Sequence, residues 1–195
     1  PRDLDRIIYL DCDIIVNKNL NSLYNLNIDN FCIAALPESN SEINRIRLGL
    51  SENGLYFQAG VLLINLIKSR DVINYEKSID IINRLGVNMI AVDQDIINIV
   101  FDNNIKPINN IYNDRDITDF NNKKLYRFLN WLPKKEKETT KIFHFSSGKP
   151  WNNLFSGSCE ELWHKYLILS PFSYLYETKY NKLKYENKKA LEGYL

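Results

Sequence analysis

Ile7-Ile8-Tyr9-Leu10-Asp11-Cys12-Asp13 is the stretch that decides how this chain is read. Four apolar residues run without alternation and stop at two carboxylates. An alternating strand has one wet face, whereas an unbroken run is the pattern of a strand covered on both, as in a parallel sheet flanked by helices. If residues 11–13 continue the extended chain, positions i and i+2 share a side, so Asp11 and Asp13 converge while Cys12 turns away. The end of a buried strand is also where open α/β sheets place their ligands. Two hard oxygen donors on one face suit Mg²⁺ or Mn²⁺, whose remaining sites phosphate oxygens can fill. The plain alternative is a pair of solvated acids, one of them capping the next helix, and the residues alone leave both readings open.

Further strands and helices interleave along the chain. Residues 31–36 and 61–64 read as strands, as do the shorter 104–108 and 141–145. Ile43, Ile46 and Leu50 fall at helical spacing. A helix is predicted from Val72 to Leu85, ending at Gly86, and another begins near Asp93 as its N-cap and buries Ile96, Ile97, Val100 and Phe101. The expected class is therefore α/β with a mostly parallel sheet. Residues 114–137 are polar and read as an excursion or a partly ordered loop.

Three more constellations stand at the ends of these elements. Residues 142–151 read Ile-Phe-His-Phe-Ser-Ser-Gly-Lys-Pro-Trp. There a strand delivers His144, a ligand for borderline cations when neutral, and a small-residue turn delivers Lys149, a point charge suited to phosphate. Asp93-Gln94-Asp95 opens a helix, where acids favour the dipole whether or not they meet a substrate. Gln58-Ala59-Gly60 lets a backbone approach closely, either to a ligand or to a packed neighbour.

Composition bounds the rest. The 195 residues suffice for one core, and a net charge of +1 gives no field drawing the chain to nucleic acid. No apolar run has the length of a spanning helix. Cys12, Cys32 and Cys159 are odd in number and widely spaced, which argues for a reducing compartment and for small buried hydrophobes. The chain opens on Pro1 and enters a strand almost at once, so it reads as cut from something longer.

Taken together, residues 9–16, 56–66, 93–98 and 144–151 resemble glycosyltransferase family 8, the group of bacterial lipopolysaccharide galactosyl- and glucosyltransferases and of glycogenin. Each motif is weak, but four in register are specific, and the likeness runs from about Pro1 to Trp163. It implies a GT-A fold whose opening strands would precede Pro1, with a catalytic part at residues 1–170 and a helical tail at 171–195. It implies a retaining hexosyltransferase that moves galactose or glucose from a UDP-sugar to a hydroxyl of a glycan, lipid-linked glycans included. Asp11, Asp13 and His144 would hold Mn²⁺, or else Mg²⁺, and Gly148 and Lys149 would meet the diphosphate. Asp93 and Gln94 would be the catalytic residues beside the sugar, and Gln58, Ala59 and Gly60 would line the donor, with Gln58 standing where many members carry Asn. The protein would be bacterial and cytoplasmic, and its tail either an ordinary solvated helix or, through Lys179, Lys182, Lys184 and the tail tyrosines, a contact with an anionic surface at the inner face of the membrane. Two rivals are an inactive scaffold of the same fold and a haloacid-dehalogenase-type phosphatase, which also opens with D-x-D after a strand.

Overall fold

The computed structural model describes residues 2–52, 54–115, 140–146, 149, 151 and 160–174, except the side chains of Glu160 and Glu161. It divides into two compact units, Pro1–Ser146 and Ser147–Leu195.

In the first unit the strands are β1 (Arg6–Leu10), β2 (Ile14–Val16), β3 (Ile33–Ala35), β4 (Val61–Asn65), β5 (Ile105–Pro107) and β6 (Ile142–His144). The helices are α1 (Asn21–Tyr24), α2 (Ser41–Leu48), α3 (Leu66–Val72), α4 (Tyr75–Leu85) and α5 (Val92–Val100). The second unit contributes α6 (Glu160–Ile168), where Trp163 lies 5.9 Å from the Trp151 ring. Past Tyr174 the expected tail lies outside the described residues, as does nearly all of the 114–137 excursion. Among the described residues no helix is long and apolar enough to cross a membrane.

The α/β class stands, but the expectation of a mostly parallel sheet needs correction. Four strands run in the order β1-β4-β3-β5. β4 is antiparallel to both neighbours, and only β3 and β5 run parallel. An unbroken apolar run reports two covered faces and carries no information on strand direction. The covering holds for β3 and β4 but not for β1, the strand of residues 7–10, which lies at the sheet edge, is half-buried and leaves Tyr9 exposed. One face of the sheet packs Ile33, Ala35 and Leu62 with Ile81, Val100 and Phe101, and the other packs Ala34, Val61 and Leu63 with Leu23, Ile28 and Ile142. Each such aliphatic side chain contributes about 1.5–3 kcal/mol on leaving water, so β4, buried at four of its five positions, anchors the sheet.

Local chemistry corrects two helix boundaries. The helix expected from Val72 to Leu85 begins only at Tyr75, and Val72 closes the separate helix α3. The extended Asn74 accepts the Lys77 N–H at 2.8 Å and so begins α4 afresh, while Gly86, at φ 50°, ends it as expected. The cap of α5 is Ala91, not Asp93. Asp95 reaches back from inside the helix and accepts the N–H groups of Ile90 and Ala91 at 2.9 and 3.1 Å, holding the cap residue and the one before it much as the acid of a capping box does.

The pairing that matters most for the site is the small antiparallel ladder of β2 with β6, in register Ile14 to His144, Ile15 to Phe143 and Val16 to Ile142. It carries His144 across the sequence to the residue that follows Asp13. The Phe145 N–H donates to the Asp13 carbonyl at 2.9 Å and continues the ladder.

Candidate metal and donor site

Asp11 leaves β1 and Asp13 enters β2, and between them the chain turns instead of staying extended. The carboxylates converge all the same. The Asp11 N–H is held by the Gly60 carbonyl at 2.9 Å, and the ladder fixes Asp13 beside Ile14, the partner of His144, and opposite Phe145. Cys12, at the apex, is exposed, which corrects its expected burial; Cys32 is buried, and Cys159 lies outside the described residues.

His144 Nε2 stands 3.2 Å from Asp13 Oδ1 and 3.6 Å from Asp11 Oδ2, and one ligand atom from each residue lies within 4.8 Å of the others. Adjacent ligands of an octahedral cation bound at about 2.1 Å lie about 3 Å apart, so the three side chains fit one face of such a shell. Their chemistry, two carboxylates and an imidazole, suits Mn²⁺ better than a purely oxygen-seeking ion. The histidine is 5% exposed and Asp11 34%, which opens the group toward solvent on the Asp11 side.

The neighbours hold each ligand in place. Asn113 is fully buried, and its Oδ1 lies 2.8 Å from His144 Nδ1, leaving Nε2 as the nitrogen that faces the acids. The Tyr9 hydroxyl donates to Asp11 Oδ1 at 2.9 Å. That hydrogen bond first, then burial and the charges of Asp11 and Asp93, push the Tyr9 phenol up to about 12. Asp93 thus lies near enough to Asp11's partner for its charge to be felt there. Gly60 packs against the ligands themselves: a Cβ at this position would collide with His144 Cε1 and would lie 2.8 Å from Nδ1 and 2.9 Å from Asp11 Oδ2.

The segment before Gly60 is clamped by α5. Ala59 N–H donates to Gln94 Oε1 at 3.0 Å, and the Asn98 carboxamide accepts from Phe57 N–H and donates to the Phe57 carbonyl, both at 2.7 Å. The Tyr56 hydroxyl donates to the fully buried Asp95 at 2.6 Å. Arg47 of α2 closes on the same carboxylate with two hydrogen bonds of 2.7 and 2.9 Å. Burial alone would push the Asp95 carboxyl up; Arg47, Tyr56 and the two backbone N–H groups outweigh it and hold it at about 2. Burial and the Asp95 bond in turn raise Tyr56.

The first unit therefore gathers Asp11, Asp13, His144, Gly60, Ala59, Gln58 and Gln94. Gln58 is buried and accepts from Asn113 Nδ2 at 3.3 Å. Lys149 belongs to the second unit, with its Nζ 5.9 Å over the Trp151 ring, and Gly148 lies outside the described residues. The sequence assigned no role at the site to Asn113, Tyr9, Asn98 or Arg47. Tyr9, two residues before Asp11, could have been found from its place in the motif; the two asparagines are lost among many.

The sequence model described as glycosyl transferase family 8 matches residues 2–187. A putative glycosyltransferase of Haemophilus influenzae is 36% identical over 60% of this chain and 37% of its own length. Glycosyltransferase GlyE of Streptococcus pneumoniae is 29% identical over 96% of this chain and 43% of its own length. The crystal structure of GlyE superposes with a TM-score of 0.66 at 28% identity, covering 92% of this chain and 43% of that one. A galactosyltransferase, LgtC, solved with donor and acceptor sugar analogues, superposes with a TM-score of 0.67 at 24% identity over 84% of this chain and 60% of that one, a likeness of fold. The chain thus spans less than half the length of these first two relatives. A match of this extent displaces the phosphatase alternative.

Proposed function

The chain belongs to glycosyl transferase family 8, and from that premise we propose that it carries the metal-binding and sugar-facing part of a retaining hexosyltransferase, one that moves glucose or galactose from a UDP-sugar to a glycan hydroxyl. The observation that carries this reading is the convergence of Asp11, Asp13 and His144 within 4.8 Å. These three would hold Mn²⁺ or Mg²⁺, which when bound supplies positive charge against the diphosphate of the departing UDP.

The chain's own residues do the rest. Lys149 adds a second positive charge for the diphosphate, together with the preceding Gly148. Gln58, Ala59 and Gly60 line the donor, their backbone steadied by Gln94 and Asn98. Asp93 and Gln94 stand at the sugar as the catalytic pair, and retention follows from attack on the face that the diphosphate leaves. The acceptor belongs to a lipopolysaccharide or another surface polysaccharide. A lipid-linked acceptor would bring residues 171–195 to the inner face of a bacterial membrane, which co-sedimentation with anionic vesicles measures.

Asp11→Ala tests the assignment. Loss of a ligand that several kcal/mol of charge stabilisation depends on should lower Mn²⁺-dependent turnover of UDP-glucose or UDP-galactose by about 100-fold or more. Near-normal turnover would overturn it. Calorimetric binding of a UDP-sugar by the wild-type protein without turnover would point instead to a scaffold of the same fold.

A further inference from the structure

Resting on that reading of the site, we propose that Asn113 is a positioning residue that sets the tautomer of His144 and, through the same carboxamide, the orientation of Gln58. Readiness for the cation and readiness for the donor sugar are then set together.

Asn113 lies fully buried between His144 and Gln58, both themselves buried. Its Oδ1 is 2.8 Å from His144 Nδ1, and its Nδ2 donates to Gln58 Oε1 at 3.3 Å. A carboxamide has one accepting end and one donating end. With Oδ1 toward the ring, Nδ1 carries the proton, and the neutral imidazole has its lone pair on Nε2, the nitrogen that faces Asp11 and Asp13. Turned over, the amide would donate to Nδ1, the proton would pass to Nε2, and a ligand would become a hydrogen-bond donor.

The same reversal would set Asn113 Oδ1 against Gln58 Oε1, two acceptors, so Gln58 would have to turn over as well. In the ligand-ready arrangement Gln58 commits its oxygen to Asn113. Its Nε2 end, without a hydrogen bond among the described residues, is the end left for a ligand. A sugar oxygen meeting Gln58 must then accept. The backbone of Asn113 is held by its own 3-10 turn and, through the neighbouring Asp114, beside the strand that carries the histidine. Asn113 N–H donates to the Asn110 carbonyl at 2.9 Å, and Asp114 bonds β6 on both sides, donating to Ile142 O at 3.0 Å and accepting from His144 N–H at 2.9 Å.

The experiment combines ¹⁵N NMR of the imidazoles with calorimetry on the full chain, using Mn²⁺ alone and then UDP-galactose and UDP-glucose. The chain has two histidines, so His164→Gln assigns the signals. Metal-free wild type at alkaline pH should show His144 protonated at Nδ1; protonation at Nε2 overturns the proposal without any variant. Asn113→Ala should weaken Mn²⁺ binding by about 10- to 100-fold, the range typical of a lost partner behind a ligating histidine. Asn113→Asp keeps the acceptor for Nδ1 but forces Gln58 to donate to it, so Mn²⁺ binding should hold while UDP-sugar binding weakens by about 10-fold. A residue that only fills space would move both affinities in step, and that result, or unchanged Mn²⁺ binding in Asn113→Ala, sinks the idea. Wild type that binds Mn²⁺ in the Nδ1-protonated form but no UDP-sugar would overturn the proposed function and the Gln58 arm, and leave the His144 arm standing.

Discussion

At Gly60 the side chains proposed to hold the cation lie where a Cβ would be, with His144 Nδ1 at 2.8 Å and Asp11 Oδ2 at 2.9 Å from that position. Neither can retreat cheaply, because Asn113 holds the ring and Tyr9 holds the carboxylate. Gly60→Ala should therefore cost about 1–3 kcal/mol of stability, as overpacking of a filled site does. It should also weaken Mn²⁺ binding, because the imidazole moves before the backbone of β4 does. Thermal denaturation and calorimetry with Mn²⁺ measure the two effects, and a Gly60→Ala variant that binds the ion as tightly as wild type would show that His144 has room the packing denies it.

Among the elements, Asp95 is the joint. Its carboxylate ties α2 through Arg47, the 56–60 segment through Tyr56, and the start of α5 through the Ile90 and Ala91 N–H groups. Gln94, the preceding residue, grips Ala59. Asp95→Asn removes the charge from a buried pair and leaves Arg47 without its partner, a change that typically costs about 3–5 kcal/mol. The pH dependence has a definite sign. Asp95 is depressed in the folded protein to about 2, so its stabilisation is fully present above the ordinary carboxylate value and is lost as pH falls from about 4 through about 2. The shift corresponds to about 2 kcal/mol. Wild type should lose this increment over that window in melts taken against pH, and Asp95→Asn should lack it. α5 itself was legible from its apolar spacing and its acids. What Asp95 does was not, because its partners Arg47 and Tyr56 lie 48 and 39 residues away and no periodicity pairs them. The break at Asn74 was missed for the opposite reason: a cap residue inside an apolar-periodic stretch is hidden by the period.

Over the whole molecule, the motifs were legible because each sits where a strand or a helix begins or ends, where pattern and chemistry coincide. The direction of β4 was not, since apolar runs do not encode it. Asn113 was not either, since an asparagine outside any motif carries no signal until β6 lies beside it. The division of the chain makes a last prediction. The three proposed cation ligands lie within Pro1–Ser146, while Lys149 lies in Ser147–Leu195. If Lys149 serves the diphosphate and not the ion, Lys149→Ala should leave the affinity for Mn²⁺ alone unchanged. It should weaken UDP in the presence of saturating Mn²⁺ by about 10- to 100-fold, the worth of one hydrogen bond to a charged group at about 1.5–3 kcal/mol. The loss should shrink as salt rises, because a single lysine acts as a point charge. Titration of Mn²⁺, then of UDP at two ionic strengths, separates the contributions. Equal UDP affinity in the variant would remove Lys149 from the site and leave the three cation ligands to hold the nucleotide without it.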